Sequence, residues 1–222
     1  MLGHHASAEE VEQLKPKTDP FASPSRVNLS LPFFPPRLFS STPVWRGFNA
    51  AYYMAQSRHR GTFLSHYRPY FFPLDGIANW NRVYGRDGFI EYQFAVPLRY
   101  AEQVCREVVE RLAHSRNGSF LAVLKRLGPA SGGHMSFPIE GVTLAVDMPA
   151  RGGVQADLLR KLDQTVASAG GRIYLVKDSR ASAELMDVMY PRRREWAQLV
   201  NEYDPEGIFT SSLVRRLELR RA

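Results

Sequence analysis

A chain of 222 residues, 44% hydrophobic and 23% charged, is long enough to bury one core and has the make-up of an ordinary globular protein. Its formal charge of +7 favours acidic partners such as phosphates, nucleic acid or an anionic membrane surface, and part of the excess lies in two runs, Arg192-Arg193-Arg194 and Arg215-Arg216 to Arg220-Arg221. One cysteine, Cys105, excludes an internal disulfide and a zinc ligand set, and no apolar run approaches the ~20 residues needed to span a bilayer. The six histidines show no metal-ligand spacing, so no metal is expected. The N-terminus lacks the basic-then-apolar pattern of a signal peptide. The expectation is a cytoplasmic protein whose charge suits peripheral membrane contact.

Ala6 to Leu14 is a helix candidate, with Ser7 and Glu10 spaced as a capping box and Pro16 as its stop. Pro16 to Pro43 is punctuated by prolines and reads as an extended arm. Its Phe33, Phe34, Leu38 and Phe39 predict packing along a surface. Val44 to Gln56 is aromatic-rich and helical in pattern. Phe63 to Phe72 reads as a strand or extended segment, and Ile77 to Tyr84 as a short helix closed by Gly85.

Phe89 to Pro97 alternates, with Ile90, Tyr92, Phe94 and Val96 on one face and Glu91, Gln93 and Ala95 on the other, which is the half-buried strand signal. Leu98 to His114 carries Ala101, Val104, Cys105, Val108 and Leu112 on one helical stripe. Asn117-Gly118 marks a turn, Ser119 to Leu127 a second strand, Gly128 to Gly133 a loop, and Gly141 to Pro149 a third strand. Val154 to Ala169 is a second amphipathic helix that stops at Gly170-Gly171, and Arg172 to Lys177 a fourth strand. Helices are then expected over Ala181–Met189, Arg192–Tyr203 and Ser211–Leu219. The order is βαββαβ, which predicts an α+β, ferredoxin-like antiparallel sheet with both helices on one face, preceded by the arm and followed by C-terminal helices. The domain reading is residues 1–59 for the N-terminal helix and arm, and 60–222 for the sheet domain.

Chemistry is expected on the sheet face away from the helices. That face holds Glu91, Gln93 and Ala95 from the first strand and Thr143, Ala145 and Asp147 from the third. Small and polar residues there leave room for a ligand, although antiparallel sheets often simply face water. Lys125 shares a row with Leu121, Val123 and Leu127, where a lysine either snorkels to the rim or meets an anion. Lys177 closes the fourth strand and opens Lys-Asp-Ser-Arg, which suits either a rigidly held cation or a strand leaving the core. Tyr174 stacks on a ring or fills the core. No phosphate loop or nucleophile elbow is present.

Three sets of motifs go further. Tyr70-Phe71-Phe72-Pro73-Leu74-Asp75, Trp80-Asn81-Arg82-Val83-Tyr84-Gly85 and Gly88-Phe89-Ile90-Glu91-Tyr92-Gln93-Phe94 come first. Leu124 to Gly128, Ser136 to Gly141 and Val146-Asp147-Met148-Pro149 continue them, and Gly170 to Arg180, Met189-Tyr190-Pro191 and Arg215 to Leu219 complete them. Together they resemble the decaprenylphosphoryl-β-D-ribose 2′-oxidase family, which is of the vanillyl-alcohol-oxidase type of FAD-linked oxidases and has a C-terminal region related to that of the aldonolactone oxidases, such as D-arabinono-1,4-lactone oxidase. The likeness covers roughly residues 60 to 219.

The resemblance implies a substrate-binding cap domain, FAD held mainly by another domain, and hydride transfer from a sugar hydroxyl carbon to the flavin, in cell-wall arabinan synthesis. It implies a catalytic, cofactor-facing role for Lys177, a cofactor contact for Tyr174, and a substrate pocket lined by Gln93, Lys125, Thr143, Ala145 and Phe71. Two departures stand out: Ala145 where the family commonly has cysteine, and Phe71-Phe72 in place of a tyrosine-histidine pair. The FAD-binding domain is not in this sequence, so the expected partners are a flavin-binding chain and a sugar or polyprenyl-phosphate sugar. The alternative is a non-catalytic ligand- or protein-binding module derived from such a cap. An RNA-binding reading fails, because the aromatic strand is the first and its rings point to the helix side; no nucleic acid is expected.

Overall fold

The first predicted strand keeps its bounds, Phe89–Pro97, in the computed structural model, which describes residues 5–14, 29–31, 42–58, 61–72, 75–115, 121–150 and 153–221. The chain divides into two compact units, Met1–Arg86 and Asp87–Ala222.

In the first unit, helix α1 (Ala8–Leu14) opens with the expected capping box. The Glu10 amide donates to Ser7 Oγ at 3.2 Å, and the Ser7 amide donates to Glu10 Oε2 at 2.8 Å. Strand β1 (Leu29–Ser30) pairs in parallel with β2 (Ile77–Ala78). The expected packing of the proline-rich arm otherwise lies outside the described residues. Helix α2 spans Thr42–Ser57. Phe63 to Phe72 is not a strand: its second half forms α3 (Tyr67–Phe71), capped by the His66 side chain, which accepts from the Arg68 amide at 3.2 Å. Pro69 sits in the first turn, where no backbone donor is missed. Nor is Ile77 to Tyr84 a continuous helix. After β2, Asn79 takes a left-handed φ of 59°, and only Trp80–Tyr84 turns, as a 3-10 helix.

The second unit is the predicted βαββαβ fold. Its strands are β3 (Phe89–Pro97), β4 (Ala122–Leu127), β5 (Gly141–Pro149) and β6 (Arg172–Ile173), in the antiparallel order β4-β5-β3-β6. Residues 116–120, including the Asn117-Gly118 turn, lie outside the described residues. Helices α4 (Leu98–His114) and α5 (Gly153–Ser168) supply the two crossovers. Tyr92, Phe94, Val96, Val146 and Met148 from the sheet meet Val104, Val108 and Leu112 of α4 and Leu159, Leu162 and Val166 of α5 in one buried core. Each such aliphatic side chain contributes about 1.5–3 kcal/mol when fully buried.

Two glycines permit close backbone approach. A Cβ on Gly141 would lie 2.0 Å from Val96 O, and one on Gly171 would lie 2.5 Å from Ala95 O. Gly170 ends α5 with a φ of +69°, as a C′ glycine does.

The fourth strand is shorter than expected. Ladder pairing stops at Ile173, and Leu175–Lys177 curls into a 3-10 turn instead of continuing. The cause is Asp178. Its carboxylate accepts from the amides of Arg180 (3.1 Å) and Ala181 (2.9 Å) and from Arg216 Nη2 (2.8 Å), so it pulls the chain off the sheet edge. Ala181 to Met189 is likewise not one helix, but a 3-10 turn (Ala183–Leu185) followed by the single turn α6 (Met186–Met189). Helix α7 (Arg193–Tyr203) matches expectation, and α8 (Ser212–Arg216), capped by Ser211, is the front half of the expected terminal helix. Six arginines of the two runs are ion-paired. Arg192 bonds Glu195, Arg193 and Arg194 share Asp187, Arg216 bonds Asp178, Arg220 bonds Asp204, and Arg221 bonds Glu218.

Candidate functional site

Antiparallel register sets side chains side by side on a sheet face. Gln93 opposes Ala145, which opposes Val123; Ala95 opposes Thr143, which opposes Lys125; and Glu91 opposes Asp147. The Tyr174 amide donates to Gln93 O at 2.8 Å, which carries the first row out past β6. Six of the seven residues singled out in the sequence, Gln93, Lys125, Thr143, Ala145, Tyr174 and Lys177, therefore share one region of the face away from α4 and α5. The seventh, Phe71, is exposed on α3 in the other unit, with its ring edge-on to Tyr70.

Lys177 does not end a strand. It sits on the 3-10 turn beyond β6, and from there its Nζ reaches back to Glu91 Oε2 at 2.7 Å. Glu91 is on the neighbouring central strand, so the cation is fixed from two directions. The hydrogen bond that the ammonium donates to Glu91 holds it above the usual lysine value of 10.5; burial opposes this, and the charges of Glu91 and Asp147 add to it. Lys177 thus stays protonated across the neutral range. It can donate a hydrogen bond or stabilise an anion, but it is a poor proton acceptor.

Next to it, Gln93 Nε2 donates to Thr143 Oγ1 at 3.1 Å, which orients the amide and leaves its oxygen available as an acceptor. Thr143 and Ala95 are buried, so the face is not bare. The segment after β4 lies against it: Arg172 Nη1 donates to Ser136 O at 2.7 Å, and the Phe137 ring meets Tyr174 with centroids 4.4 Å apart. Tyr174 is therefore part of an aromatic pair. Lys125, on edge strand β4, is exposed, as its snorkelling reading predicts.

The rest of the Lys-Asp-Ser-Arg motif is scaffold. Arg180 forms a bidentate pair with Asp163 of α5, Nη1 to Oδ2 at 2.6 Å and Nη2 to Oδ1 at 2.9 Å, and Asp163 is almost wholly buried. Asp178 shapes the turn from the other side. These partners lie 17 and 38 residues away from the motif, and no local signal announces them. Glu91, the anchor of Lys177, was legible as a face residue but not as its partner.

The crevice bounded by Gln93, Tyr174, Lys177 and Arg180 encloses about 10 Å³, room for one water at most. A sugar cannot enter it. Among the described residues no group of three His, Cys, Asp or Glu is placed to hold a metal ion.

Fold and face together define an α+β domain on a ferredoxin-like sheet, with a carboxylate-anchored lysine beside an amide and a hydroxyl. The chain is related to decaprenylphosphoryl-beta-D-ribose oxidase of Mycolicibacterium smegmatis, with 34% identity over 215 residues, covering 96% of this chain and 46% of that protein. That extent is consistent with a C-terminal domain of the oxidase, as the motifs implied. The chain is also 41% identical over 144 residues to an uncharacterized protein in the mprA 5′ region of Streptomyces coelicolor, covering 64% of this chain and 39% of the relative. It thus spans less than half the length of either relative. No family model matches it.

Proposed function

We propose that this chain provides the substrate-binding face of an FAD-dependent oxidoreductase that oxidises a sugar hydroxyl, a polyprenyl-phosphate pentose or an aldonolactone-like substrate, together with a flavin-binding partner. The observation that carries this reading is the Lys177–Glu91 pair beside the Gln93–Thr143 hydrogen bond. It sets a permanent cation and an oriented amide on one rigid surface.

These residues suit a flavin. A fixed ammonium complements the negative charge of the reduced ring, and Tyr174 offers an aromatic face. When bound, FAD would supply the hydride acceptor. The chain's own part is positioning and electrostatics. The Gln93 amide oxygen accepts from a sugar hydroxyl, and Lys177 Nζ donates to an oxygen that gains negative charge. Thr143 holds Gln93 in place, and Ala145 leaves space where a larger side chain would crowd the ring. Because Lys177 remains protonated, the hydroxyl proton leaves to another acceptor.

The test is to isolate the protein from its own host under gentle conditions and record its visible absorption spectrum beside a gel. A flavin spectrum with a second polypeptide is the expected result, and Lys177→Ala should then abolish turnover while circular dichroism shows the fold intact. A colourless single component, or turnover that survives Lys177→Ala, would favour a non-catalytic binding module.

A further inference from the structure

The chain's positive charge is not where its arginine runs suggest. Six arginines of those runs are ion-paired to acidic residues of the C-terminal region. Between Asp19 and Asp75 the sequence has no acidic residue at all, while Arg26, Arg37, Arg46, Arg58, Arg60 and Arg68 lie within it. These six account for nearly the whole net charge of +7. The same interval holds 13 of the chain's 26 aromatic residues. An acid-free stretch that concentrates both arginine and aromatics is the composition of an interfacial segment.

The described part of this interval gives the composition a shape. On α2, Val44, Phe48, Ala51, Tyr52 and Ala55 follow at helical spacing on one side, and Arg46, Asn49 and Ser57 fall on the other together with the exposed Tyr53. The apolar side is not buried: Phe48 is 56% and Tyr52 55% exposed, and their rings stack with centroids 6.2 Å apart. In α3, Tyr67, Tyr70 and Phe71 are also exposed, with Arg68 among them.

From this we infer that residues 42–58 and 61–72 form a membrane-surface element that binds an anionic lipid bilayer. The aromatic side of α2 would enter the headgroup boundary, with Arg58 and Arg68 on lipid phosphates and Arg46, on the far side of the helix, adding to the positive field over the surface. Charge complementarity selects this occupant. A purely apolar protein contact would not need the whole interval cleared of Asp and Glu, whereas a negative surface penalises each of them. Arginine also matches phosphate geometry through two parallel donors. The inference rests on charge and surface, and it stands whether or not the chain takes part in sugar oxidation.

The full chain should co-sediment with vesicles made of equal parts phosphatidylcholine and phosphatidylglycerol, and at least tenfold less with phosphatidylcholine alone. Raising the salt should release it. Arg46→Glu with Arg58→Glu should reduce binding on the order of tenfold or more. Phe48→Ser with Tyr52→Ser should do the same while leaving the charge intact, and Arg68→Glu supplies a third, separate position. Circular dichroism of each variant checks that the fold is retained. Equal sedimentation with neutral and anionic vesicles, or charge reversal without effect, would overturn the inference. So would variants that keep vesicle binding but lose a co-purifying protein, which would make this surface a protein interface.

Discussion

Lys177 Nζ and Glu91 Oε2 lie 2.7 Å apart although 86 residues separate them in the chain. The pair joins a turn at the sheet edge to the centre of the sheet. Its pH dependence follows from the raised lysine value. A lysine whose folded pKa exceeds its unfolded one contributes stability that is complete below the unfolded value and is lost as pH rises through the folded one. The melting-temperature difference between the wild type and Glu91→Gln should therefore stay constant through neutral pH and shrink only above the ordinary lysine value of 10.5. A difference that already vanishes near pH 8 would mean that the pair does not hold Lys177 in solution.

Asp163→Ala should be the most damaging single change near the site. It leaves the Arg180 guanidinium without its bidentate partner in a mostly buried position. Removing one member of a buried pair costs about 3–5 kcal/mol. At roughly 3 °C per kcal/mol, the thermal midpoint should fall by about 10 °C. A fall under about 2 °C would show that Arg180 finds water or another acceptor.

The sequence made the central sheet readable because periodicity is local. Ile90 to Val96 alternate, and the structure buries Tyr92, Phe94 and Val96 on the helix side. Gln93, Thr143 and Ala145 could be placed on one face by the same count. What failed was decided by distant partners. Leu175-Val176 looks like strand, yet Asp178, tied to Arg216, turns the chain away from the ladder. Phe63 to Phe72 has strand-like aromatics, but the His66 cap and a first-turn proline favour a helix. Within the arginine runs, the partners of Arg216 and Arg220, Asp178 and Asp204, lie 38 and 16 residues away and meet them only in three dimensions.

Gly141→Ala should destabilise the sheet without touching any polar residue. The added methyl would meet the Val96 carbonyl at 2.0 Å, and a backbone atom cannot step aside as a side-chain tip can. Overpacking of this kind costs about 1–3 kcal/mol. Urea denaturation should show a lower midpoint with an unchanged slope. An unaltered midpoint would mean that β3 and β5 separate at little cost.

Thiol chemistry offers a contrast between two positions. Burial pushes the Cys105 thiol above its usual 9.0, so at neutral pH the wild type should take up a thiol reagent slowly. Ala145 has no thiol, and covalent inhibitors that need one there should leave the protein unmodified. Ala145→Cys should gain rapid labelling at neutral pH, read as one added adduct by intact mass. Labelling of Ala145→Cys no faster than the wild type would mean that the polar face is closed to small molecules.

The strand order β4-β5-β3-β6 also governs how the molecule is made. Strand β3 leaves the ribosome about 75 residues before β6, which at ~5–20 residues per second is a wait of roughly 4–15 s. Until β6 arrives, one edge of β3 has no neighbour, and Phe94 and Val96, fully hidden in the finished domain, lack part of their cover. The Lys177–Glu91 link closes only after that last strand docks. A nascent or shortened chain that stops before Arg172 would carry a bare hydrophobic edge and no anchored lysine, making it a target for chaperones and proteases and not a weaker version of the same protein.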